Sequence, residues 1–208
     1  MILLVAVFVG VVAGMLLARW QGLSWSIPNL RVPWLVIIAF VPQFFAFYLP
    51  ATRHLIPDSW VSVGLVSSQA LMLVFCWLNR RFSGIWLLAL GLGLNTLVIV
   101  ANKGFMPISP QTASHLIPET IVQAIPLGTR FGYKDILLSP ASTQLAWLSD
   151  RFSSPKGFPY KVAFSLGDTF IAFGAFWLLT LQGKTVRSFI QRKVTEQCKP
   201  KQSNPQYL

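Results

Sequence analysis

A carboxylate in the middle of an apolar run is where this sequence has most chemistry to offer. Asp168 lies about two turns beyond Lys161 in the run from Val162 to Leu181. An acid in such surroundings is costly enough to require a partner, a water-filled cavity or a protonated state. Ser165 and Gly167 stand beside it, so the group reads as a polar clasp or a candidate binding site. As a clasp, Asp168 accepts from backbone N–H groups of the preceding segment or pairs with Lys103; as a site, it handles an ion or a substrate.

Two further groups bear on the same question. Asn102, Gly104, Met106 and Pro107 stand where an earlier apolar run ends, and they have an ordinary helix-stop reading: glycine permits positive φ and proline prevents continuation. Asn95, about two turns before Asn102, is an amide that has to find a partner if buried. Asp150 is the other carboxylate of interest, because two acids in different environments can divide the roles of general acid and base. Pro42 with Gln43, and Gln69 with Ser67 and Ser68, are polar interruptions that suit interhelical hydrogen bonding.

Recognised catalytic and metal patterns are missing. There is no phosphate loop, no nucleophile elbow and no HExxH. His54 and His115 are isolated from the two cysteines, Cys76 and Cys198, neither of which sits in a CxxC spacing. The sequence therefore predicts no metal, no cofactor, no disulfide and no catalytic residue.

The elements that must position these residues follow from composition. Of 208 residues 54% are apolar and 11% are charged, against roughly 25% charged in an average soluble domain, so water is a poor solvent for most of this surface. Five runs approach the roughly twenty apolar residues needed to span a bilayer: Met1 to Ala18, Val32 to Leu49, Trp60 to Leu78, Gly84 to Ala101 and Val162 to Leu181. Met1 to Ala18 has no Lys or Arg before its apolar run and reads as a retained span, not a signal peptide. The predicted fold is all-α: a five-helix transmembrane bundle, residues 1–182, with an extracytoplasmic cap over residues 102–161 and a basic cytoplasmic tail from 183 to 208.

The net charge of +11 is spread over connections and tail without a basic, aromatic-interleaved stripe, so nucleic acid is not expected. Arg19 and Arg31, then Arg80 and Arg81, then Lys184, Arg187, Arg192, Lys193, Lys199 and Lys201 fall on one side of five spans, and the positive-inside bias makes that side cytoplasmic. Trp20, Trp25, Trp34, Trp77 and Trp86 ring the same face, with Tyr48, Trp60 and Tyr160 at the other. The amino terminus is then outside. In the tail, Val186, Phe189, Ile190 and Val194 form an apolar stripe among cations, which fits an anionic lipid surface.

In the connection before the last span, Ser139 and Pro140 read as an N-cap and first turn, with Ala141, Leu145, Leu148 and Phe152 on one face of an amphipathic helix. Pro107, Pro110, Pro118 and Pro126 predict an ordered cap of short turns before it, with a pair of short helices dipping into the outer leaflet as the competing picture. In the first span Ala6, Gly10, Gly14 and Ala18 form a helix-packing stripe of small residues, available to the chain's own bundle, a second copy or a membrane partner subunit.

Three fragments in order, Asn102-Lys103-Gly104-Phe105-Met106-Pro107, Gln144-Leu145-Ala146-Trp147-Leu148-Ser149-Asp150 and Phe164-Ser165-Leu166-Gly167-Asp168, make the chain similar to the domain of unknown function 5317 family of small bacterial membrane proteins. Ser149 stands where that family usually has glycine. The resemblance implies residence in a bacterial inner (cell) membrane and an external site grouping Asn102, Asp150 and Asp168, without naming a reaction. The expected role is a non-enzymatic accessory or assembly subunit. The alternatives are a small-solute or ion transporter using Asp168, and an intramembrane enzyme acting on a lipid or envelope precursor.

Overall fold

The computed structural model describes residues 2–45, 56–132, 134–155 and 160–181. The basic tail with its apolar stripe, Cys198, His54 and Tyr48 lie outside the described residues. Five apolar helices account for about half of the described chain: α1 (Ile2–Trp20), α2 (Trp34–Gln43), α3 (Asp58–Leu78), α4 (Ile85–Ala101) and α7 (Leu166–Thr180). Of these α1 and α3 are long and apolar enough to cross a membrane, and the other three are shorter apolar helices.

Small residues decide how the helices meet. At Gly10 an added Cβ would stand 3.1 Å from the Phe176 Cα, and at Gly14 2.6 Å from the Leu179 carbonyl oxygen. With Gly10, Gly14 and Ala18 buried and Ala6 half-buried, the stripe of α1 lies along α7 of the same chain. A second set of glycines closes α4 on α7: Gly84 faces Gly174 and Leu178, while Gly91 faces Gly167 and Ile171. The first pair joins the start of α4 to the later part of α7, so these helices run antiparallel, whereas α1 runs parallel to α7.

On the other flank α3 packs on α4 and α2 packs on α3. Pro42 meets Gly64, and Gln43 donates to the buried Ser68 hydroxyl. Successive apolar helices thus alternate in direction, with α4 and α7 central. Each of α3 and α4 ends on an asparagine that clamps a distant strand of backbone. Asn79 donates to the Phe75 and Arg31 carbonyls and accepts from Arg31 N–H; Asn102 donates to the Val98 and Gln144 carbonyls and accepts from Gln144 N–H.

The segment between α4 and α7 is a small mixed domain. It contains β1 (Met106–Ile108), α5 (Pro110–Ser114), α6 (Glu119–Ala124), β2 (Arg130–Phe131), β3 (Asp135–Leu137), a 3-10 turn (Ala146–Leu148), β4 (Phe152–Ser153) and β5 (Ala163–Phe164). The sheet order is β1-β3-β2, with β1 parallel and β2 antiparallel to β3, and β4 pairs with β5. Asp150 bridges the free side of β1, donating its N–H to the Pro107 carbonyl at 3.1 Å. Pro107 is tolerated because its missing N–H falls on that side, away from β3. Ile108, Ala113, Val122, Phe131 and Leu137 form the cap's own core, while Val61, Leu65, Val98, Ile99, Phe105, Met106, Ile136 and Leu148 join it to α3 and α4.

Two expectations are corrected. The chain is not all-α, because short strands organise the cap. The amphipathic helix from Ser139 is absent: the Ser139 side chain and carbonyl close a local turn with Ser142 and Thr143, and Leu145 takes φ 53°, which no right-handed helix passes through. The backbone of Gln144 is held by Asn102 instead. The short helices of the competing picture are present as α5 and α6, packed on the cap's core.

Candidate functional site

Asp168 enters the structure as part of a helix cap. The Ser165 hydroxyl accepts from the Asp168 N–H at 3.0 Å, and Asp168 Oδ2 accepts from the Ser165 N–H at 3.2 Å. This reciprocal pairing is a capping box, satisfying two donors at the start of α7. The remaining capacity is taken by α4: Asn95 Nδ2 donates to Asp168 Oδ1 at 2.8 Å, and the Ser165 hydroxyl donates to Asn95 Oδ1 at 2.9 Å. Gly167 lets Asn95 come this close, since any Cβ there would collide with the Asn95 amide.

The cation that answers Asp168 is Lys134, not Lys103. Lys134 Nζ stands 3.6 Å from Asp168 Oδ2 and 3.1 Å from Asp150 Oδ2. It is delivered from the chain between Gly132, at φ 60°, and β3, and its carbonyl is held by the Met106 N–H at 3.0 Å. Asp150 is fixed from the opposite side by its bridge to β1. The side chain of Asp150 is 1% exposed, whereas those of Lys134 and Asp168 are 35% and 25% exposed, so the cluster is closed at Asp150 and open to solvent at Lys134 and Asp168.

Asp135, the first residue of β3, adds a third carboxyl within hydrogen-bonding reach of Asp150. Burial pushes the Asp135 carboxyl well above the usual carboxylate range; Lys134 opposes that and Asp150 reinforces it. Burial likewise raises Asp150, against the pull of Lys134. For the Lys134 ammonium burial acts downward, but Asp150, Asp168 and Asp135 outweigh it and hold the lysine charged far beyond its ordinary range.

Of the predicted residues, Asp150, Ser165, Gly167 and Asp168 converge. The grouping with Asn102 is corrected, because its amide is committed to the Val98 carbonyl and the Gln144 backbone. It still supports the site at one remove, by anchoring the loop that carries Asp150. Gly104 closes α4: Lys103 takes φ 59° and Gly104 φ 84°, and the Gly104 N–H reaches the Ile99 carbonyl at 2.8 Å, the closure of a Schellman motif. A Cβ at Gly104 would strike Ser62. Met106 and Pro107 are buried in β1 as scaffold.

A model of a family of unknown function, DUF5317, matches residues 28–180. The chain belongs to that family. Membership of DUF5317 covers α2 to α7 and the whole clasp, and leaves α1 outside the matched span. No curated protein and no solved structure matches the chain. Ser149, where the resemblance implied glycine, adopts φ −65° and ψ 170°, a conformation open to any residue. Its hydroxyl donates to the Ala146 carbonyl at 2.6 Å and closes the 3-10 turn without a glycine.

Lys134 and Asp135 were not among the residues singled out by sequence. Neither belongs to a local motif, and both reach the cluster only because β3 pairs with β1 across an intervening helical hairpin. The Ser165-x-x-Asp168 spacing, by contrast, is a readable capping signature. Among the described residues no group of three His, Cys, Asp or Glu is arranged to hold a metal; in this cluster the ammonium occupies the middle.

Proposed function

We propose that this DUF5317 protein is a non-enzymatic integral membrane protein, an accessory or assembly subunit whose rigid extracytoplasmic cap is latched to its helix bundle. The observation that carries this reading is Lys134 between Asp150 and Asp168: both carboxylates that the sequence offers for chemistry are engaged by a cation that ties cap to bundle. A second tie, Arg130 with Asp58 at 3.3 Å, joins β2 to the start of α3. Latching suits a surface presented to another protein, because a partner recognises a fixed shape without first ordering it.

Membrane residence rests on the outward faces. Leu4, Phe8, Leu16, Val63, Val74, Leu97 and Phe173 point away from the bundle, far beyond the scattered apolar residues of a water-soluble surface. Trp20, Trp34, Trp77 and Trp86 are exposed near helix ends on one side and Trp60 on the other, the levels at which indoles meet headgroups. With α1 to α4 and α7 all taken as spans, Arg19, Arg31, Arg80 and Arg81 fall opposite the cap, which sets the cap outside and the basic tail on the cytoplasmic, anionic leaflet.

The intramembrane-enzyme reading keeps one point in its favour. Asp150 and Asp168 share one ammonium, so they lie inside the roughly 9.5 Å reach of working carboxylate pairs. It is the weaker reading because Lys134 fills the space a substrate would need. Two open grooves among the described residues of the cap, of about 560 and 400 Å³, are lined by other residues, among them Trp147 with Ser149 and Arg151 in the first and Val122 with Leu137 in the second.

Native gel electrophoresis of membranes solubilised in mild detergent tests the subunit role. The expected outcome is migration well above the monomer with a partner chain in the band. A lone monomeric species at native expression levels overturns it.

A further inference from the structure

The Lys134 cluster holds more negative groups than its single cation balances. Around Lys134 stand Asp150, Asp168 and Asp135. Among the described residues of the other elements packed here, β1 contributes Met106 and Pro107, α4 contributes the neutral Asn95, and Arg130 of β2 is ion-paired with Asp58. Arg151 beside Asp150 is exposed and turned over the Phe152 ring.

Asp168 has a full set of donors from Ser165 and Asn95, so the imbalance falls on the other two acids. Asp135 Oδ1 and both carboxyl oxygens of Asp150 are shut off from solvent with no hydrogen-bond donor among the described residues aligned on them. Lys134 is near Asp150 Oδ2 at 3.1 Å but off the hydrogen-bond direction. The two carboxyls are within hydrogen-bonding reach of each other. Two carboxylates in such contact do not both ionise, and a buried acceptor without a donor costs about 1–3 kcal/mol, more when charged. One proton removes both problems, turning one oxygen into the donor the other lacks.

We infer that the cap contains a proton-binding site: a single proton held between the Asp135 and Asp150 carboxyl groups, resident on Asp135 and donated as a hydrogen bond to Asp150. Asp150 is the acceptor because it alone of the two faces the Lys134 ammonium in an ion pair. The site sits at the seam between cap and bundle, with Lys134 as the partly exposed group over it. It rests on the latch reading only for the packing of the cluster; the latch can hold with either protonation state.

Infrared spectroscopy of the purified full-length protein in detergent at neutral pH tests this directly. The expected result is a protonated-carboxyl C=O band that shifts in D2O, disappears in Asp135→Asn and survives in Asp168→Asn. Absence of the band in the unsubstituted protein overturns the inference, and that measurement needs no variant to fold. Persistence of the band in a folded Asp135→Asn protein, judged by circular dichroism, overturns it as well. Failure of the latch reads out separately, as a Lys134→Met protein whose thermal stability matches the unsubstituted one while the band is still present.

Discussion

At the scale of single residues, Lys134 holds the latch together because it stands between two acids whose other neighbours are already chosen. Lys134→Met keeps most of the aliphatic stem and removes the charge, leaving Asp150 buried beside Asp135 without a cation. Removing one partner of a buried ion pair costs about 3–5 kcal/mol. Lys134 is one-third exposed, so water screens part of the effect, and a loss of about 2 kcal/mol is expected. For a chain of this size that is about 4–8 °C in Tm, readable by thermal unfolding in detergent. Asp135 gives the opposite sign. Its carboxyl is raised in the folded protein, so the folded state binds the proton more tightly than the unfolded chain. That stabilisation is fully present below the unfolded value near 3.9 and is lost as pH rises through the folded value. Asp135→Asn removes the titration, and its Tm is expected to exceed that of the unsubstituted protein by a margin that grows between about pH 5 and pH 8. A margin that stays flat or shrinks over that range contradicts the raised carboxyl. Residue by residue, legibility followed locality: Ser165 and Asp168 form a cap within one turn and can be read in sequence, as can the helix stop at Gly104. Lys134, separated from Asp168 by a folded cap, cannot.

Among elements, the decisive packing is α4 against α7, where glycines face one another at Gly84 with Gly174 and at Gly91 with Gly167. The sequence draws the eye to the tidier stripe of α1, whose four-residue spacing lies on one helix; the glycines of α4 and α7 belong to different helices and make a pattern only once their register is known. Gly167→Ala drives a methyl into the Asn95 amide and should break the Asn95, Ser165 and Asp168 network as well as separating the helices. Overpacking costs about 1–3 kcal/mol, so a fall of several degrees in Tm is expected. Gly93→Ala on α4 meets nothing within 4 Å and should leave Tm unchanged or slightly raised, since alanine favours a helix by about 0.5–1 kcal/mol over glycine. Equal losses in both variants would show that helix composition, not the crossing, governs stability. Each of the five apolar runs contains a helix because hydrophobicity there is continuous, but only α1 and α3 reach spanning length. Strands of two or three residues are too short for alternation to register. The segment after Ser139 has true helical periodicity, and only the Asn102 clamp and the left-handed Leu145 divert it into turns.

For the molecule as a whole, the alternation of helix direction is what converts packing into topology. If α1 to α4 and α7 each cross the bilayer, their order forces Asn79, Arg80 and Arg81 to the end where α1 and α7 finish, and forces the cap to the end where α4 finishes and α7 begins. The clamp of Asn79 on Arg31 gathers Arg31 with Arg80 and Arg81 into one basic rim, which the positive-inside bias assigns to the cytoplasm. The cap, latched by Lys134 and by Arg130 to helix ends on the far side, must then face outward. Single cysteines in a background lacking Cys76 and Cys198 make this measurable: Gln123→Cys on exposed α6 should react with a membrane-impermeant maleimide in intact cells, and Arg81→Cys only after permeabilisation. The reverse pattern inverts the proposed orientation while keeping the bundle. Reaction of both sites in intact cells means that the segment between them, α4 included, does not divide the two compartments, and the membrane-spanning reading of the bundle falls with it.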